Sequence, residues 1–188
     1  MKRRKAVSTL LWGMCGVIAA PTVLLTACQS KPGTKAFLTE DDVALLDEAG
    51  ETIIPATASS PGARAAGIGA FMKVYVTDCY TKEDQEIFRE GLIQIRKLSK
   101  SKFGKEFVHL SGAQKHDLFK DLDTEAQAYN RNRKKGDPDH YFSMIRKLTS
   151  FGYFTSKPGA TKALRYVQTP GSFNGNLAYK KGDKAWAL

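Results

Sequence analysis

Usable cysteine is almost missing from this chain. Two of its three cysteines, Cys15 and Cys28, fall in the first 28 residues, so Cys79 is the only ordinary thiol beyond them. One thiol cannot close an internal disulfide, and it excludes an iron–sulfur cluster held by this chain alone. No C-x-x-C-H run is present for covalent haem. Histidine is equally scarce: His109, His116 and His140 are the whole supply. A metal site would pair two of them with a carboxylate or thiolate at helical or turn spacing. Ser111 and Gly112 separate the first two, and His140 beside Asp137 and Asp139 reads equally as an exposed helix start. No G-x-S-x-G elbow occurs, and Gly67-Ile68-Gly69 lacks both a preceding strand and a third glycine, which excludes a nucleotide loop. A nucleophile, a base and an orienting group cannot be named together, so the expectation is a binding or structural subunit with no catalytic residue, metal or cofactor of its own.

Acidic residues are the other shortage, and it is local. The formal charge is +10, from 29 basic and 19 acidic side chains. Lys2, Arg3, Arg4 and Lys5 supply four of those positive charges, and the stretch from Phe151 onward holds six basic residues against Asp183 alone. The middle of the chain is therefore nearly neutral. No recognition motif accompanies the charge, and a nucleic-acid partner is not expected.

The N-terminus reads as an export signal: a basic cluster, a mostly apolar run from Ala6 to Leu25, then Leu25-Thr26-Ala27-Cys28. The run approaches the length of a bilayer-spanning helix, but Gly13, Gly16 and Pro21 interrupt it and a small-residue cleavage site follows. Leu-Thr-Ala-Cys matches the bacterial lipobox, which implies cleavage before Cys28 and a diacylglycerol thioether on it. Several acyl chains give a stable anchor where one would not. A plain secretory signal with a chance cysteine is the alternative. Arg3-Arg4 also resembles a twin-arginine export signal. The expected organisation is a signal over residues 1–27, a polar tether over 28–37 and one helical domain over 38–188.

Apolar spacing within that domain is helical as far as Gly152, where the pattern breaks. Thr39 with Asp42 caps a first helix carrying Val43, Leu46, Ala49 and Ile53, which Pro55 stops. A second is expected from about Ala63 to Cys79, with Ile68, Phe71, Met72, Tyr75 and Cys79 on one face. Its glycines suit close approach of a neighbouring helix. Cys79 should then point into packing as an inert buried thiol; the sharper alternative is an intersubunit disulfide. Thr81 and Asp84 open a third helix with Phe88, Leu92, Ile95 and Leu98 inward. Ser111 and Gln114 cap a fourth, lined by Leu118, Phe119, Leu122, Ala126 and Tyr129. Pro138 suits the first position of a fifth, whose inner face is Tyr141, Ile145, Leu148 and Gly152. The fold class is all-α: one bundle of about five helices with an irregular C-terminal tail.

That tail, Phe151 to Trp186, holds seven of the 19 aromatic residues, two Pro-Gly pairs and five glycines. Residues from Pro158 to Arg165 suit a short helix. Aromatic rings flanked by lysine and arginine are typical interface anchors, which marks Phe151, Tyr153, Phe154, Arg165, Tyr166, Phe173, Tyr179 and Trp186 as partner-binding candidates. Stapling to the chain's own bundle is the other use for the same rings.

The run FGYFTSKPGATKALRY, from Phe151 to Tyr166, and the later YKKGDKAW, from Tyr179 to Trp186, resemble the gluconate 2-dehydrogenase subunit 3 family. The resemblance begins near Leu38-Thr39 and covers nearly all of the chain after the signal. It implies a small, non-catalytic subunit of a membrane-associated sugar or sugar-acid dehydrogenase, at the periplasmic face of a bacterial membrane. In such complexes a glucose–methanol–choline-type flavoprotein carries FAD, and a multihaem cytochrome c subunit usually passes electrons onward. The small subunit assists export or maturation of the flavoprotein, and the lipobox adds membrane attachment. A free-standing envelope lipoprotein that binds a ligand or polymer through its basic aromatic tail is the alternative.

Overall fold

Two reciprocal hydrogen bonds fix where the bundle begins. The Thr39 hydroxyl accepts from the Asp42 N–H at 3.2 Å, and the Asp42 carboxylate accepts from the Thr39 N–H at 2.8 Å. This capping box starts α1 (Glu40–Ile53) as the sequence predicts. The computed structural model describes residues 37–169, 171–172 and 174–187. The signal with Arg3 and Arg4, the lipidation candidate Cys28, the tether up to residue 36, and Phe173 lie outside the described residues.

After Pro55 a loop carries one bridge, Thr57 to Ser60, and leads to a single 3-10 turn, Ala63–Ala66. The second α-helix, α2 (Ile68–Cys79), starts only after Gly67, so the helix expected from Ala63 is broken. The break is at Gly67, whose φ of 63° is left-handed, a conformation glycine adopts without a Cβ penalty. Two residues on, Gly69 has a different task. A Cβ there would stand 2.3 Å from the Val43 carbonyl oxygen, so α1 and α2 meet backbone to backbone. The Asp47 carboxylate accepts from the Gly69 N–H at 2.7 Å and locks the contact.

Helix α3 (Lys82–Phe103) is capped by the Thr81 hydroxyl and ends at left-handed Gly104. A short 3-10 turn, Phe107–His109, leads to α4 (Gly112–Asn132), entered through the Ser111–Gln114 capping box. Helix α5 (Tyr141–Thr155) begins later than Pro138 suggests. His140 is its cap, Nδ1 accepting from the Phe142 N–H at 3.2 Å. Asp137 is spent on the preceding turn, accepting from the Lys134 N–H at 2.9 Å, and Asp139 binds Arg133 and Lys147. Those contacts hold residues 137–139 out of helical geometry.

Helix α5 is the hub, in contact with the other four helices and with the turn that follows it. The interior is built from Leu45, Leu46, Ile68, Met72, Val76, Phe88, Leu92, Ile95, Leu118, Leu122, Phe142, Ile145 and Leu148, all buried. Burial of each such side chain contributes about 1.5–3 kcal/mol. Leu98 and Tyr129, expected inside, sit at the rim at 36% and 38% exposure. On α3 the core position one turn past Ile95 belongs to Ser99, whose hydroxyl donates to the Ile95 carbonyl. Among the described residues the only strands are two-residue pieces, Arg165–Tyr166 (β1) and Trp186–Ala187 (β2), paired in parallel. The architecture is an all-α bundle, as its sequence predicts.

Two substitutions test this construction. Gly69→Ala must prise α1 from α2, and a loss of about 1–3 kcal/mol is expected in chemical denaturation. Asp42 gives a pH signature. Burial would raise its carboxyl, but the Thr39 backbone and the Arg96 guanidinium, 2.6 Å away, outweigh burial and hold it below the usual carboxylate range. Its contribution is therefore complete above the unfolded-chain value of about 4 and disappears as pH falls through the lower folded value. Asp42→Asn should cost about 1–3 kcal/mol at neutral pH and progressively less in acid, read from melts across that range.

Candidate partner interface

Gly152, on α5, has no side chain, and an aromatic ring uses the space. A Cβ at Gly152 would lie 2.5 Å from Cδ1 of Phe71, so the Phe71 ring rests against the α5 backbone. Phe151 flanks it, with centroid distances of 5.9 Å to Phe71 and 5.7 Å to Tyr75. Tyr75 in turn meets Phe71 at 5.6 Å and Tyr80 at 5.9 Å. Such tilted and edge-on contacts suit aromatic quadrupoles. The cluster is packed below and open above: Phe151 is 49% exposed, and Phe154, one turn along α5, is 44% exposed. Val74, one turn from Phe71 on α2, is the most exposed apolar side chain of the helices at 61%. Together they form an apolar ridge along α2 and α5.

Tyr153 does not belong to that ridge. It is only 1% exposed, and its hydroxyl lies 2.5 Å from the Ser60 hydroxyl while donating to the Pro61 carbonyl. As a surface anchor this candidate is corrected: it staples α5 to the loop between α1 and α2, because a buried phenol requires a partner. Phe151, Phe154, Arg165, Tyr166, Tyr179 and Trp186 do reach the surface.

Cys79 is a second correction, since it is exposed and free rather than packed inward. Met72 and Val76 define the buried side of α2, and the chain turns at Tyr80, whose ring takes the packing place against Phe88 at 6.4 Å. The thiol sits one helical turn beyond Tyr75, at the end of the ridge. Phe71 and Tyr75 pack against the core as their spacing predicts, whereas Val74 is missed, because an exposed valine in an apolar helix gives no periodic signal of its own.

Beyond α5 the Ser156 hydroxyl accepts from the Gly159 N–H at 3.1 Å, and one wide helical turn, Gly159–Ala163, follows. A Cβ at Gly159 would fall 1.8 Å from the Tyr153 carbonyl oxygen, so only glycine fits there. The Arg165 N–H donates to the Ala185 carbonyl at 2.8 Å, and the Arg165 guanidinium stacks over Trp186 at 4.1 Å. These contacts close the base of a loop that runs from Val167 to Ala185.

The polar groups elsewhere serve the fold. His140 caps α5 and stacks on Tyr141 at 4.4 Å; His116 is exposed on α4 and His109 in the turn before it. Burial pushes the phenols of Tyr80 and Tyr141 up to about 12. Among the described residues no group of three His, Cys, Asp or Glu side chains could hold a metal ion, and no helix is long and apolar enough to cross a membrane.

A small helical bundle with a self-contained core and an apolar ridge on its surface has the features of a binding subunit. Residues 40–171 match the family model of gluconate 2-dehydrogenase subunit 3, and the chain belongs to that family, whose members are subunits of a dehydrogenase complex. The match stops at Gly171, so the segment from Tyr179 to Trp186 lies beyond it. No curated protein and no solved structure matches this chain.

The exposure of Cys79 gives a direct test. In the folded protein it should react with a thiol reagent without denaturant, at a rate within about tenfold of a small-peptide thiol. Protection until unfolding would return it to the core.

Proposed function

We propose that this chain is the non-catalytic accessory subunit of a gluconate 2-dehydrogenase-type complex, holding a flavoprotein subunit at the periplasmic face of the membrane and assisting its export and maturation. Family membership supports the kind of complex. The observation that carries the proposal is the ridge: Val74, Phe151 and Phe154 remain exposed, supported by Phe71 and Tyr75, which are partly buried against the core. Apolar side chains gathered in one place mark a protein contact, and aromatic residues supply most of the binding energy at such contacts.

In this reading FAD resides in a partner of the glucose–methanol–choline type, and any haem c resides in a cytochrome subunit. The chain itself contributes surface, not redox chemistry. Its part in attachment falls to Cys28 through the lipobox, and its part in export to the signal with Arg3 and Arg4.

Co-expression with a glucose–methanol–choline-type flavoprotein from the same genome should yield a complex that co-purifies. The chain purified alone should show neither flavin nor haem absorbance and no dehydrogenase activity. Phe151→Asp with Phe154→Asp places two charges on the ridge and should weaken association by at least about tenfold. Far-UV circular dichroism should be unchanged, since both rings are half exposed. Association as tight as that of the unaltered chain would remove the ridge from the interface.

A further inference from the structure

We infer that the loop closed by Arg165 and Trp186 is a second, non-covalent membrane contact, which lies on the surface of a bilayer containing anionic phospholipid. Its apolar side chains point away from the protein: Tyr179 is 76% exposed, Leu177 51%, Trp186 50% and Tyr166 48%. Tyrosine and tryptophan are the residues that settle at the lipid–water boundary, apolar ring inward and polar edge in the headgroups.

The charge is disposed to match. Lys180, Lys181 and Lys184 cluster between Tyr179 and Trp186, and every one of the loop residues from Lys180 to Lys184 is exposed. Asp183, the sole carboxylate of the loop, is turned to its own backbone, accepting from the Lys180 N–H at 2.9 Å. Lys184 donates to the Lys162 carbonyl, a neutral acceptor that leaves its charge in place, so positive potential remains over the loop with no further carboxylate in it to offset the lysines. Parallel pairing of β1 with β2 and the Arg165–Trp186 stack hold the two ends together, so that the aromatic and basic groups are presented on one closed loop.

The basic groups themselves favour lipid over protein. Lysine is depleted from protein interfaces, where arginine is preferred. At an anionic membrane each lysine near the surface strengthens binding by about fivefold, because its flexible ammonium reaches phosphate without a fixed geometry. Here the one arginine, Arg165, is occupied in stacking, and the remaining cations of the loop are exposed lysines. This contact is independent of the flavoprotein and of acylation at Cys28.

Trp186 reports on the loop directly. In the full chain carrying Trp12→Phe it is the only tryptophan. Added to vesicles of phosphatidylglycerol and phosphatidylcholine, this protein should show a blue-shifted Trp186 emission that brominated phospholipid quenches. Phosphatidylcholine vesicles should produce neither change, and salt should reverse both. With Lys180, Lys181 and Lys184 changed to Ala, the effect of anionic lipid should weaken on the order of a hundredfold. A Trp186 that stays water-exposed on anionic vesicles at low salt would overturn the inference. So would protection of Trp186 that needs an acidic protein rather than lipid. Either result leaves co-purification through the ridge unaffected.

Discussion

Adjacent residues on α5, Gly152 and Tyr153, set most of what surrounds them. Tyr153 turns inward, and its phenol must find hydrogen-bond partners once buried. It finds Ser60 and Pro61, in a loop that holds no large apolar side chain of its own between Pro55 and Gly62. Apart from that tie the loop between α1 and α2 is held only by contacts to the end of α1 and the residue after it, the Glu51 carboxylate accepting from the Ala56 N–H at 2.9 Å and the Ile54 carbonyl from the Ala63 N–H at 2.9 Å, and by its own Thr57–Ser60 bridge. Gly152 works in the opposite sense. The room it leaves is filled by Phe71, and Phe71 then supports Phe151 at the surface. One residue secures the interior and its neighbour builds the ridge.

The helices were legible because their signals are local. Thr39 with Asp42, Thr81 with Asp84 and Ser111 with Gln114 announce caps within four residues, and the apolar period of 3.6 names the buried face. What was missed depends on contacts distant in sequence. Gly67 and Gly69 look alike in a row of small apolar residues, yet one turns the chain left-handed and the other lets α1 approach. Pro138 has the right chemistry for a helix start, but Asp137 and Asp139 have other partners. Among three close aromatic residues, Phe151, Tyr153 and Phe154, nothing local says that the middle one points inward. Cys79 was misplaced for a similar reason: the period continues through it, but the chain turns at Tyr80 and the core is completed by the tyrosine ring.

Electrostatics divides the surface further. Several charges of the bundle are matched in place: Glu48 with Lys115 and Arg64, Asp42 with Arg96, Asp123 with Arg146, Asp139 with Arg133 and Lys147. Exposed pairs of this kind add little stability. Lys115 with Glu48 is better shielded and bridges α4 to α1, with the Val108 carbonyl as a further acceptor at 3.3 Å. Near-equal numbers of acidic and basic side chains make the bundle nearly neutral. The C-terminal loop has no such matching, and its lysines keep their field.

The ridge and the loop therefore call for different occupants, yet they are mechanically joined. Helix α5 carries Phe151 and Phe154, and within a few residues Gly159 seats the following turn directly on the Tyr153 carbonyl. A contact that excludes even a Cβ leaves little freedom at that joint. The direction in which the chain leaves α5 is thus set by the same residue that anchors the core. A protein bound on the ridge and a bilayer beneath the loop would each add to the other only if this joint is stiff, since a loose one would dilute the second contact over many orientations. The geometry around Tyr153 supplies that stiffness from within the chain, with no residue of the ridge or of the loop required to provide it.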